Sequence, residues 1–125
     1  MSHISKIELE VKDLYALKSA CARLGLDFIS GKKTFKWFGT EDSACDHGIV
    51  VPGANYEIGV SAANGHFELQ CDYYDLNIGK VIGKNGGLLK QAYGVEKTKA
   101  EARKKGYSII EQKTETGIRL HVRLN

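Results

Sequence analysis

Between Lys80 and Lys90 the chain reads Lys80-Val81-Ile82-Gly83-Lys84-Asn85-Gly86-Gly87-Leu88-Leu89-Lys90. Glycine carries no β-carbon, so successive backbone N–H groups around Gly83 and Gly86 are free to point at one anion. Asn85 sits between them, and Lys80, Lys84 and Lys90 surround the stretch with full positive charge. A helix beginning at Gly87 would aim its unpaired N–H groups at the same place. The chemistry these residues suggest is retention of a phosphate group without a covalent step. No Gly-Lys-Ser/Thr follows a four-residue spacer, so the segment is not a Walker-type nucleotide loop.

The wider charge distribution agrees. The formal net charge is +3. From Gly79 to Lys105 eight cations face two carboxylates, Glu96 and Glu101, a local balance of +6 that leaves −3 for the remainder. Such clustering suits a phosphate, a nucleic acid or an acidic partner, and equally a solvated helix face. Trp37, Tyr73, Tyr74 and Tyr93 are candidates to stack on a base. Aromatic residues in strands are also common core and cross-strand partners.

The catalytic inventory is thin. Asp46-His47 is the one adjacent acid–imidazole pair, while His3, His66 and His121 stand apart. No Gly-x-Ser-x-Gly, HExxH or paired-carboxylate spacing occurs. Cys21, Cys45 and Cys71 are an odd, widely spaced set without a CxxC pair, which reads as reduced thiols in a cytoplasmic protein. Cys45-Asp46-His47 has no second ligand pair to complete a zinc site. The expectation is a non-catalytic protein with no metal and no cofactor.

The elements that must position these residues follow from periodicity. The length of 125 residues, with 42% hydrophobic and 26% charged residues, is one ordinary domain spanning 1–125. Apolar runs are too short for a membrane-spanning helix, and Met1 to Lys6 lacks the apolar core of a secretory signal. Ile7, Leu9 and Val11 alternate with charges and predict a strand. Asp13 caps a helix with Leu14, Leu17, Cys21 and Leu24 on one side, ended by Gly25. Strands are predicted around Phe35 to Gly39 and Ile49 to Val51. Tyr56-Ile58-Val60, Asn64-Gly65 and Phe67-Leu69-Cys71 predict a hairpin with a type I′ turn. Asp75 to Gly87 reads as a glycine-rich loop. A short helix follows, broken at Gly94, and then a second from Glu96 to Lys105. Two strands, Tyr107 to Gln112 and Ile118 to Leu124, close the chain. The sum is an α+β domain with about seven mainly antiparallel strands and two or three helices on one face.

Two resemblances sharpen the functional expectation. Val81-Ile82-Gly83-Lys84-Asn85-Gly86 is similar to the GxxG segment of KH-type RNA-binding domains, where two glycines let the backbone approach single-strand phosphates. That family has a helix before its GxxG loop and a strand soon after the following helix. Here the preceding residues read as the end of a hairpin strand, and Glu96 to Lys105 intervenes afterwards. Over most of its length the chain also resembles a conserved family first named as hypothetical chloroplast reading frame thirty-five, with bacterial and phage members. The likeness is carried by Met1-Ser2-His3-Ile4-Ser5-Lys6-Ile7, Tyr56-Glu57-Ile58-Gly59 and Asn64-Gly65-His66-Phe67-Glu68-Leu69. It resumes at Leu89-Lys90-Gln91-Ala92-Tyr93, Lys105-Gly106-Tyr107 and Gly117-Ile118-Arg119-Leu120. It brings no catalytic residues to carry over. The chain departs from that family at Asn77 to Gly87, where the family has an apolar helix start.

Three functions are therefore expected in competition. The first is a binder of a phosphate-containing small ligand, a nucleotide or cyclic nucleotide, through Lys80, Gly83, Lys84, Asn85, Gly86, Lys90, Trp37 and Tyr93. The phage members make sequestration of that ligand one form of it. The second is RNA or single-stranded nucleic-acid binding through the same loop. The third is an adaptor or homo-oligomer acting through its sheet edges.

Overall fold

The computed structural model describes residues 3–39 and 41–124. Met1 and Ser2, which open the family resemblance, and Thr40, just beyond the strand predicted around Phe35 to Gly39, lie outside the described residues. Strand β1 (Ser5–Val11) leads into helix α1 (Leu14–Arg23), followed by β2 (Asp27–Ile29), β3 (Thr34–Phe35), β4 (Ser43–Ala44) and β5 (His47–Val50). Then come β6 (Glu57–Ala63), β7 (His66–Cys71), α2 (Leu76–Ile82), a single 3-10 turn (Lys84–Gly86) and α3 (Gly87–Lys104). Strands β8 (Ser108–Lys113) and β9 (Ile118–Arg123) end the described chain.

The architecture is α+β, as the periodicities indicate. Five strands form an antiparallel sheet in the order β1-β7-β6-β5-β2, and β3-β4 and β8-β9 are two-stranded sheets of their own. Alternation sends Ile7, Ile49, Ile58, Val60, Leu69 and Cys71 to one face. There they meet Leu17 and Cys21 of α1, Ile78 and Ile82 of α2, and Leu89 and Tyr93 of α3 in one buried cluster. Gly59 points the other way, and the ring of buried Phe35 lies flat on it where any β-carbon would collide. The strongest local signals hold. Asp13 Oδ1 accepts from the Ala16 N–H at 3.0 Å to cap α1. Asn64 and Gly65 turn β6 into β7 with φ of 47° and 84°.

Three expectations need correction. The predicted loop from Asp75 to Gly87 contains α2. Asp75 Oδ1 caps it by accepting from the Asn77 N–H at 3.0 Å, and Ile78 and Ile82, one helical turn apart, are both fully buried. Gly94 does not break a helix. It lies exposed inside the continuous α3, because Leu89, Ala92, Tyr93, Val95 and Ala102 bury one side of that helix. That packing outweighs the roughly 1 kcal/mol a helical glycine costs. Finally, the strand predicted around Phe35 to Gly39 is reduced to Thr34–Phe35, beyond which the backbone is fastened to Asp72.

Candidate functional site

The helix α2, the turn Gly83-Lys84-Asn85-Gly86 and the helix α3 form one continuous element. The turn is built from backbone conformations that require its glycines. Gly83 has φ 85° and ψ 167°, a region essentially confined to glycine. Asn85 and Gly86 follow in the left-handed region, with φ 54° and 74°. Close packing adds to the requirement. A β-carbon on Gly83 would lie 2.8 Å from the Leu88 backbone nitrogen, and one on Gly86 would lie 2.7 Å from Ile7 Cγ2. The Gly83 N–H donates to Gly79 O at 2.9 Å and the Gly86 N–H to Gly83 O at 3.0 Å, so the reversal is closed by its own backbone.

Gly86 is buried, whereas Lys84 and Asn85 at the tip are exposed. Lys80 stands exposed in the last turn of α2, and Lys90 lies half-buried one turn into α3. Among the described residues none of Lys80, Lys84 and Lys90 forms an ion pair. The first turn of α3 carries no acidic side chain and no side-chain cap. Its positive dipole end is therefore balanced by nothing in its own sequence.

Of the predicted site residues, this element brings together Lys80, Gly83, Lys84, Asn85, Gly86 and Lys90. It does not present the other two. Tyr93 is buried, and its hydroxyl accepts from the Lys12 and Asp13 N–H groups at 3.1 and 3.2 Å, joining α3 to the start of α1. Trp37 folds its ring over Gly39 and donates from Nε1 to Glu41 O at 2.8 Å. The hollow beside it is lined by Glu41 and Asp42, which would repel a phosphate.

The aromatic residue that sequence reasoning missed is Phe38, the neighbour of Trp37. Its ring is 57% exposed and lies 5.1 Å from that of Tyr74, itself 61% exposed. Both backbones are held by one carboxylate. Asp72, fully buried, accepts from the Phe38 N–H at 3.2 Å and from the Tyr74 N–H at 2.9 Å. Nothing local to Phe38 announces this, since its partner is 34 residues away. Tyr73, the other stacking candidate, turns inward. Its hydroxyl is buried near Cys71 and below Gly86, and burial, with Cys71 beside it, pushes the phenol up.

Asp46 and His47 are engaged by backbone groups, and Cys21 and Cys71 are buried. Asp46 Oδ2 accepts from the Ala62 N–H at 2.7 Å, while His47 Nδ1 accepts from the Gly31 N–H at 3.0 Å, so this sequence-adjacent pair points to different partners. Burial pushes the Cys21 and Cys71 thiols up to about 12, leaving them protonated at neutral pH. Among the described residues no cluster of three His, Cys, Asp or Glu side chains could hold a metal ion, and no helix is long and apolar enough to cross a membrane. A groove of about 490 Å³ runs between α1 and the β2–β5 edge, lined by Lys18, Ala22, Phe28 and Val50, and includes none of the lysines of the turn.

Comparison of the chain with protein-family models, with curated proteins and with solved structures finds no match in any of the three.

Proposed function

We propose that the α2–turn–α3 element grips the phosphate backbone of a single-stranded nucleic acid. The observation that carries this reading is the placement of three lysines, without ion-pair partners among the described residues, around a glycine-built reversal at the start of an 18-residue helix that has no side-chain cap. The sequence likeness to KH-type domains asked for a helix before the GxxG turn, and α2 fills that position. Exposure favours a polymer over a lone nucleotide. Small-ligand sites are concave and bury most of the ligand, whereas Lys80, Lys84 and Asn85 stand in solvent. A strand passing across them gains from several phosphates in succession, with counterions released at each contact.

The test is fluorescence anisotropy with labelled single-stranded RNA and DNA over a range of salt concentrations. Affinity should fall with salt at a logarithmic slope of about −2, as expected for roughly three neutralised phosphates on a single strand. Lys80→Glu with Lys84→Glu should weaken binding more than tenfold on every sequence and flatten the slope by about 1.4. Saturable binding of mononucleotides that survives this double substitution, with no binding of strands, would defeat the proposal.

A further inference from the structure

Phe38 and Tyr74 form a tilted ring pair, each more than half exposed, one on the loop after β3 and the other in the turn between β7 and α2. Exposed aromatic side chains on such segments are ordinarily mobile. Here one fully buried carboxylate, Asp72, fastens the backbone of both. Asp72 is the one charged side chain buried in the core among the described residues. Burying a carboxylate is costly unless donors surround it, and the structure spends those donors on holding these two positions.

The pair also has a fixed relation to the basic turn. Tyr74 lies just before α2, and Leu76, the first residue of that helix, is 74% exposed. Lys80 follows Leu76 by four residues, which places the two on the same side of the helix. The helix has seven residues and is therefore about 10 Å long. One exposed side of α2 thus carries Leu76 and Lys80 and leads to the turn bearing Lys84, with Tyr74 two residues before its start. The neighbouring carboxylate at Asp75 is engaged as well, accepting from Asn77 N–H through Oδ1 and from the Asn55 and Tyr56 N–H groups through Oδ2.

We infer that the Phe38–Tyr74 pair is a stacking platform for nucleobases of the same strand whose phosphates lie on the turn. This rests on the backbone-gripping reading above and adds the part of the ligand that distinguishes an unpaired strand from a duplex. In a duplex the base faces are covered by their neighbours, so rings can stack only on bases that are splayed out. Exposed aromatic rings just ahead of a helix that carries an exposed leucine and Lys80 and leads to Lys84 match a polymer whose bases and phosphates alternate along its length. A purely apolar protein partner gains nothing from Lys80 and Lys84.

The experiment compares a short oligonucleotide with an abasic strand of equal length and charge. Phe38→Ala with Tyr74→Ala should lose about tenfold or more in affinity for the base-bearing strand and change little toward the abasic one, since stacking contributes per base. The aromatic replacements Phe38→Trp and Tyr74→Phe should retain binding. Both rings are exposed, so the fold should survive, and circular dichroism checks it. Equal affinity of the alanine variant and the unmodified protein for base-bearing strands would overturn the inference. So would an equal loss toward both ligands, or self-association that depends on these rings. If the platform fails while Lys80→Glu with Lys84→Glu still abolishes binding, the phosphate-gripping reading stands alone. If neither variant matters because no strand binds, both fall.

Discussion

The two ends of α3 carry similar charge in sequence and opposite arrangements in space. At its start, Lys84 and Lys90, with Lys80 from α2, meet no carboxylate among the described residues. In its second half, Lys97 pairs with Glu101 at 3.2 Å, and Lys99 reaches Glu111 at 2.6 Å and Glu96 at 3.5 Å. Arg23 of α1 joins that network, 2.7 Å from Glu111 and 3.3 Å from Glu96. One group of cations has no ion pair among the described residues. The other ties the β8–β9 arm to the helices. A local balance of +6 describes both and distinguishes neither, because neutralisation depends on residues far away in sequence such as Arg23 and Glu111. Arg103, Lys104 and Lys105 fall in a third category. They sit at the C-terminal end of α3, where positive charge complements the helix dipole without any ligand.

The sharpest contrast to break is between the glycines of the turn and the glycine inside the helix. Gly86→Ala places a side chain at φ 74° and 2.7 Å from Ile7 Cγ2. Left-handed strain of roughly 1–2 kcal/mol and overpacking of similar size should together cost about 2–4 kcal/mol in urea denaturation. Gly83→Ala should cost a comparable amount, since its new β-carbon meets backbone at Leu88. Gly94→Ala has open space around it and helical conformation, so it should stabilise by about 0.5–1 kcal/mol. If all three substitutions shift stability alike, the turn is not the constrained scaffold described above.

The charge contrast comes next in size. Arg23→Ala removes two carboxylate contacts from the tie and should lower stability by about 1 kcal/mol, the range for a partly exposed network, while leaving strand binding within a factor of about two. Lys80→Glu with Lys84→Glu should do the reverse, with stability within roughly 0.5 kcal/mol of the parent and binding more than tenfold weaker. Thermal melts and anisotropy on the same four proteins, the parent, the two variants and their combination, decide it. Parallel loss of binding and stability in both variants would erase the distinction between the two ends of α3.

How much of this was legible in the sequence depended on the range of the causes. The alternation in β1, the Asp13 cap and the Asn64-Gly65 turn act over two to four residues, and each could be read directly. Helix α2 is hard to read because Gly79 and Lys80 interrupt a short apolar signal of which only Ile78 and Ile82, with Val81 beside them, face the core. The Asp75 cap with that four-residue spacing was the available clue. The lysines and glycines of the turn were visible as a group because they are contiguous. Phe38 has no local signal, because the Asp72 carboxylate that holds its backbone comes from across the fold. The burial of Tyr93 is hidden for the same reason, its hydroxyl being taken up by Lys12 and Asp13 N–H groups some eighty residues earlier.

The smallest expected effect is local and concerns acid. Hydrogen bonds from Arg23 and then Lys99 hold the Glu111 carboxylate down to about 2, from an ordinary 4.5. A depressed carboxylate favours the folded arrangement above its unfolded value, and that contribution fades as pH falls from about 4.5 through about 2. The network is partly exposed, so solvent screens it and global unfolding need not follow. The β8–β9 arm is where the change should show, because a two-stranded hairpin has little stability of its own and Val122 and Leu124 are already exposed. Backbone order parameters by NMR should drop across 108–123 between neutral pH and about pH 2.5, while the β6–β7 hairpin inside the main sheet stays rigid. Glu111→Gln should show the loosened arm at both pH values, because its neutral amide lacks the charge that Arg23 and Lys99 hold. An arm that stays ordered at about pH 2.5 in the parent protein would mean that packing of Ile109, Ile118 and Leu120 against α3 holds it instead, and the paired end of α3 would then be no more structural than the unpaired one.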